Sequence, residues 1–176
     1  TGGTTGTFRL DDVSITAQSE TTVTEPRALI INEIMVDPLL GQNEWIELFH
    51  RGSSPVDIAR WKFSDRPTAS GSNMFTITNG SVVIQPQQYV LVAAESTILS
   101  QFSYLASPTP GVRLFILNRT NGFGMNNDGD DVILRDARAK TLDSVSYSST
   151  WHHPDLTEAK GRSLERVNPE IASNDR

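Results

Sequence analysis

Between residues 28 and 65 the chain fits three strand-like pulses, 29–36, 44–50 and 58–64, into fewer than forty residues: ALIINEIMVDPLLGQNEWIELFHRGSSPVDIARWKFSD. Strands this short, bounded this regularly by turn residues, are the pattern of an all-β sandwich or barrel. The rhythm continues with candidate strands at 74–78, 81–84, 89–93, 114–118, 131–136, 142–147 and 163–167. Asp37-Pro38, Gly52-Ser53-Ser54-Pro55, Asn79-Gly80, Pro86-Gln87-Gln88 and Asp128-Gly129 supply turn chemistry between them. Asn79-Gly80 is the strongest hairpin signal, because both residues tolerate the positive φ of a type I′ turn. Within 58–64, Ile58, Arg60, Lys62 and Ser64 interleave with Ala59, Trp61 and Phe63, which predicts one wet face and one packed face.

Two segments break the β rhythm. Residues 95–102, ESTILSQF, predict a helix of about two turns with Ser96 as N-cap and Ile98, Leu99 and Phe102 on one side, capping an open end of the sandwich. Residues 148–160 carry Pro154 centrally and read as a long loop. Ahead of residue 28, Thr7 to Thr16 reads as one strand whose Phe8, Leu10, Val13 and Ile15 need neighbours to cover them. That strand and its Thr/Ser/Glu-rich spacer, residues 1–27, are expected to be the remnant of an upstream domain plus a linker; addition to the edge of the main sheet is the alternative. The start without Met fits a fragment of a longer protein.

Composition narrows the function classes. Fifteen Lys and Arg stand against 21 Asp and Glu, a net charge of −6 with no basic run, so the concentrated positive face that phosphate binding requires is missing. Nucleic acid is therefore not expected as a partner. No apolar run approaches the roughly 20 residues that span a bilayer, so membrane insertion is not expected either. With no cysteine, disulfides and thiolate metal sites are both excluded, and the redox compartment stays open.

Each candidate for chemistry carries a structural reading beside it. Glu44 and Glu47, with Glu33, are a possible acid–base cluster, but an odd spacing in one strand turns the first two to opposite faces; carboxylates bonding a neighbouring strand or loop are the preferred reading. Asn126, Asp128, Asp130 and Asp131 surround Gly129 as oxygens surround a calcium loop. The bidentate Glu that an EF-hand places after the Gly is absent, so a hairpin turn is preferred and calcium is the alternative; no other cofactor is expected. His152 and His153 are adjacent and diverge in extended chain, which disfavours zinc. There is no Gly-x-Ser-x-Gly elbow, and Gly122-Phe123-Gly124 is too short for a dinucleotide fingerprint. Trp45, Trp61, Phe63 and Phe75 fall on strand pulses and are expected in or near the core. Trp151, with Phe115, Phe123 and Tyr147, could line a surface; Trp151, beside His152 in the long loop, is the aromatic expected to be partly exposed, with packing across the end of the sandwich the preferred reading and ligand contact by Trp151 and His152 the alternative.

Six segments in order, INEIMVDP (31–38), NEWIELFH (43–50), VDIARWKFSD (56–65), NDGDDVILRD (127–136), LDSVSY (142–147) and GRSLERVNP (161–169), resemble the lamin tail domain family. This is the immunoglobulin-like module of nuclear lamins that also occurs in bacterial secreted and cell-surface proteins. The resemblance spans about residues 28–170, leaving 171–176 as a tail. It implies an immunoglobulin-like antiparallel β-sandwich with at most one or two short helices. Gln87 and Ala59 stand where bacterial members usually have Gly, and Ala137-Arg138-Ala139-Lys140 replaces an Asp-Gly-type turn. The strand GTFRLDDVSI resembles the closing strand of a jelly-roll domain. The resemblance implies a non-catalytic interaction or spacer module in an exported multidomain bacterial protein, extracellular or on the cell surface, with a protein or cell-surface polymer as partner. An accessory substrate- or glycan-binding domain of an extracellular hydrolase is the alternative.

Overall fold

The computed structural model describes residues 27–69, 71–107, 109–153, 155–156 and 158–171, together with the backbone of two short strands, β1 (Thr7–Leu10) and β2 (Val13–Thr16). These two pair with each other, Phe8 opposite Ile15, in a sheet of their own. The expected single strand is thus a two-stranded ribbon, and its backbone partner comes from within the same ten residues. The polar spacer that follows lies outside the described residues.

The main body runs through β3 (Leu29–Met35), β4 (Trp45–His50), β5 (Val56–Asp57), β6 (Lys62–Ser64), β7 (Met74–Thr76), β8 (Val83–Ile84) and β9 (Tyr89–Ala93). A one-turn helix, α1 (Ile98–Gln101), leads through a 3-10 turn (Ser103–Ala106) to β10 (Val112–Ile116). β11 (Gly129–Arg135), β12 (Thr141–Ser148), a second 3-10 turn (Ser149–Trp151) and β13 (Leu164–Glu165) complete it. Five strands in the order β10-β9-β4-β3-β13 make one layer and β12-β11-β6-β7 the other, with a small β5–β8 pair besides. The core between them holds Leu29, Ile31, Ile34, Ile46, Leu48, Phe63, Phe75, Val90, Val92, Phe123, Val132 and Leu134. This is the all-β sandwich that strand density predicts.

A bulge in β3 decides which residues reach that core. Ladder pairing to β4 shifts between Ile31 and Glu33, leaving Asn32 unmatched. Leu29 and Ile31 point inward before the shift, Ile34 and Val36 after it, so the extra residue switches the inward parity from odd to even.

Strand β9 is apolar on both sides because both sides are covered. Val90 and Val92 enter the main core, whereas Leu91 and Ala93 join Met35, Trp45, Ile98 and Leu105 in a second cluster on the outer face of the five-stranded layer. Trp45 meets Phe102 edge to face at 6.1 Å there. The helix therefore lies over the back of a sheet and does not cap an end of the sandwich. It is one turn long, and Ser96 is not its N-cap: that position is Thr97, with no capping side chain. Asn43 Nδ2 instead ties the approach, bonding Glu95 Oε2 at 2.7 Å and Thr97 Oγ1 at 3.1 Å.

Three further expectations are corrected. β9 and β10 run parallel, because residues 94–111, including α1, form the crossover that parallel neighbours need; the other pairings of the described strands are antiparallel. The strand expected at 58–64 is broken at Arg60, whose φ of +58° ends the extended run, so Ile58 and Phe63 both reach the core and the simple alternation fails. Asn79-Gly80 makes no type I′ hairpin, since neither residue has positive φ. Thr78 and Ser81 belong to a chain that returns along 56–62, where Arg60 N–H bonds Thr78 O (2.8 Å) and the Asp57 carboxylate receives Ser81 Oγ (2.8 Å) and Val82 N–H (3.0 Å).

Candidate functional site

Glu44, at the entrance to β4, turns toward the loop 122–125. Its carboxylate accepts the backbone N–H of Phe123, and the N–H groups of Gly124 and Met125 face the same carboxylate. Successive N–H groups converging on one point form an anion-binding nest, and here the anion is the chain's own side chain. Two left-handed glycines shape it, Gly122 at φ +65° and Gly124 at φ +78°. A Cβ on Gly122 would stand 2.6 Å from Glu44 Oε2, so a larger residue there would have to push the carboxylate off the Phe123 N–H, besides straining a backbone at φ +65°. The Gly-Phe-Gly run thus serves a carboxylate cap, and Phe123, expected as a surface aromatic, is buried against Phe75 with ring centroids 5.1 Å apart. Burial pushes the Glu44 carboxyl above the usual carboxylate range, and the three N–H groups pull it partly back.

Glu47 faces away from Glu44, as the odd spacing requires, and the β3 bulge brings Glu33 directly opposite it. Glu165 on β13 is the next neighbour across the sheet, paired with Glu33. Two of the three predicted cluster members therefore meet on the outer face, joined by a residue that sequence reasoning did not single out. Asn32 Nδ2 donates to Glu47 Oε1 at 2.9 Å, and Ser163 Oγ donates to Glu33. Burial raises both carboxyls, the partner hydrogen bonds lower them, and the like charges across the strip raise them again.

The oxygen-rich segment before β11 is not a hairpin: it enters β11 from a loop, with a turn closed by Gly129 N–H to Asn126 O at 3.2 Å. Asp130 is buried and accepts from Asn126 Nδ2 (2.9 Å) and Asp131 N–H (2.8 Å). Asp131 accepts from both Arg66 Nε and Nη2 at 3.1 Å and from Ser146 Oγ at 2.7 Å, while Asp128 is exposed. Tyr147 donates its hydroxyl to Asn126 O at 2.7 Å and is buried, so it too leaves the surface. Phe115 packs half-buried against the core. Trp151 stands 38% exposed at the end of its 3-10 turn with His152 half-buried beside it, and His153 receives Asp155 N–H on Nδ1 at 3.2 Å.

Two polar features escaped sequence reasoning. Asp143 and Arg166 form a buried ion pair (3.3 Å): Asp143 also accepts the Ile31 N–H at 2.9 Å, and Arg166 Nε donates to Ile31 O at 2.9 Å. His50, fully buried at the end of β4, has neither ring nitrogen hydrogen-bonded among the described residues.

A sequence model of the lamin tail domain matches residues 22–149. The chain belongs to the lamin tail domain family. No curated protein matches it significantly. As a lamin tail domain it shows where its departures from glycine fall. Gln87 has φ +65° and Ala139 φ +64°, the left-handed conformation that Gly occupies without strain. At the third departure the strained residue is Arg60, one position beyond Ala59. Ala139 lies in the five-residue β11–β12 loop, residues 136–140, where Asp136 Oδ1 holds Arg138 N–H (2.8 Å) and Lys140 N–H (2.9 Å). The lamin tail sandwich also reaches past the matched segment, since β13 pairs with β3.

Proposed function

We propose that this lamin tail domain is a non-catalytic interaction or spacer module of an exported multidomain bacterial protein, working outside the cell or on its surface. The observation that carries this reading is the employment of its buried and half-buried acids. Glu44 closes a backbone nest, Asp130 holds the turn before β11, and Asp143 joins β3, β12 and the β13 region. Each is committed to architecture, which leaves loops and sheet edges on a rigid scaffold as the working surface. The partner is a protein or a cell-surface polymer.

The isolated chain is expected to turn over no ester, nucleic acid or glycan substrate. Turnover abolished by Glu33→Gln or Glu47→Gln would defeat the proposal. Protease shaving of intact producing cells is expected to remove the domain, and its retention would contradict the location. The exposure of Trp151 favours one second reading, glycan or polymer contact by an accessory domain of a hydrolase. On that reading Trp151→Ala weakens polymer binding about tenfold in affinity electrophoresis, roughly the loss of one stacking contact of 1.4 kcal/mol.

A further inference from the structure

Strand β10 ends the five-stranded layer and pairs on one side only, with β9. Tyr89 N–H bonds Gly111 O at 2.7 Å and Leu117 N–H bonds Ala93 O at 3.0 Å, so the odd-numbered residues from 111 to 117 turn their backbone groups toward β9. The even-numbered residues must then turn theirs outward. Val112 N–H is taken by Thr109 O at 3.1 Å. Among the described residues, Val112 O, Leu114 N–H, Leu114 O and Ile116 N–H have no hydrogen-bond partner.

Natural edge strands are usually blunted by Lys, Pro, a bulge or extreme shortness. β7 and β13 are only three and two residues long. β12 is long but lies near β3, tied to it through Asp143 and the Ile31 N–H. β10 has no Lys, Pro or bulge and is five residues long; its one charged device is the exposed Arg113, and it reads VRLFI, with Val112, Leu114 and Ile116 half-buried on its helix side. An open groove of about 570 Å³ runs beside it, walled by Leu105, Ser107, Thr109, Pro110, Val112 and Leu114. Among the described residues no carboxylate lines the groove, and the side chain of Arg113, which alternates with Val112 and Leu114, stands exposed on the opposite face of the strand.

Resting on the interaction-module reading and deepening it, we infer that the β10 edge is a docking site for an extended acidic peptide that adds a sixth strand to this layer. Backbone groups of the peptide meet Val112 O, Leu114 N–H, Leu114 O and Ile116 N–H, the main-chain source of affinity in strand addition. Its alternate apolar side chains face the groove beside Leu105 and Leu114. The side chains between them lie on the other face, where a carboxylate pairs across the strands with Arg113. A second copy of the chain fits less well, because it brings another Arg113 and no carboxylate to the seam.

The test is titration of the full chain with a blocked heptapeptide alternating Val and Glu, followed by amide NMR, with the Val/Lys peptide as comparison. Expected are shifts centred on Leu114 and Ile116, at least tenfold slower exchange of those two amides, and at least fivefold weaker binding of the Lys peptide. Arg113→Glu, which leaves the strand intact, should reverse that preference. Leu114→Pro deletes one outward N–H and no bond to β9, and should cost at least tenfold in affinity; if it does not fold, Arg113→Glu decides. Shifts confined to the Trp151 loop would overturn the edge site while leaving the interaction reading standing. Absence of any shift at millimolar peptide would overturn the edge site too. So would a peptide-free dimer in sedimentation with the Leu114 and Ile116 amides already protected, which would give the edge to a second copy.

Discussion

At the scale of single residues, the strained positions and the crowded acids make opposite kinds of prediction. Gln87 and Ala139 hold left-handed backbone that costs an L residue about 1–2 kcal/mol, against about 0.5–1 kcal/mol of extra chain entropy for glycine. Gln87→Gly and Ala139→Gly are each expected to raise the melting temperature by about 1–3 °C, read by differential scanning calorimetry. The Ala137–Lys140 departure was legible in the sequence as a turn lacking its glycine, and so was Gln87. The Ala59 position was legible only to within one residue, because propensity marks a turn and hydrogen bonding chooses its strained member. The acids predict pH dependence. Glu33 and Glu47 have folded-state affinities for protons raised chiefly by burial, so the native state binds more protons than the unfolded chain at pH values above 4.5. Stability from these groups is then greatest below that value and is lost as pH rises through their raised folded pKa values. Glu47→Gln keeps the acceptor for Asn32 and should melt higher than the parent at pH 7, with the advantage vanishing near pH 4, as paired thermal melts at the two pH values will show.

At the scale of elements, what the sequence made visible was strand existence; which strands became neighbours was hidden. The pulses at 29–36, 44–50, 89–93 and 142–147 correspond to β3, β4, β9 and β12 within about a residue or two. The parallel partnership of β9 with β10 is set by a crossover whose packing on Trp45 and Leu91 is a tertiary event, beyond the reach of local pattern. The β3 bulge was equally hidden, since Asn32 reads as one polar residue in an apolar run until β4 is laid beside it. Its consequence is testable through β13. Arg166 and Asp143 supply partners to both backbone groups of Ile31, just before the bulge. Asp143→Ala leaves Arg166 and the Ile31 N–H without that carboxylate in a dry site and is expected to cost about 3–5 kcal/mol in urea unfolding. Arg166→Ala should fall in the same range, and the double variant should cost less than the sum, because the two residues share one network.

At the scale of the whole molecule, two sheets enclose one core, a one-turn helix packs on the outer face of one sheet, and the acids that looked like chemistry hold turns and strand ends in place. Much of this was latent in the residues: the odd spacing of Glu44 and Glu47 already forbade their convergence, and the exposure of Trp151 followed from its loop. The nest could not be foreseen, because residues 44 and 123 are distant in sequence and only the closed sandwich joins them. It separates an architectural carboxylate from a reactive one. Groups held for chemistry commonly burden the fold and their removal stabilises it, whereas a carboxylate that satisfies backbone donors is missed when it goes. The decisive measurement is therefore the melting temperature of Glu44→Ala. Stranding the Phe123 N–H, and removing the charge its two following N–H groups face, is expected to cost about 1–3 kcal/mol, a fall of about 3 °C or more, with faster exchange of the Phe123 amide. An unchanged or higher melting temperature would contradict the architectural role on which the account rests.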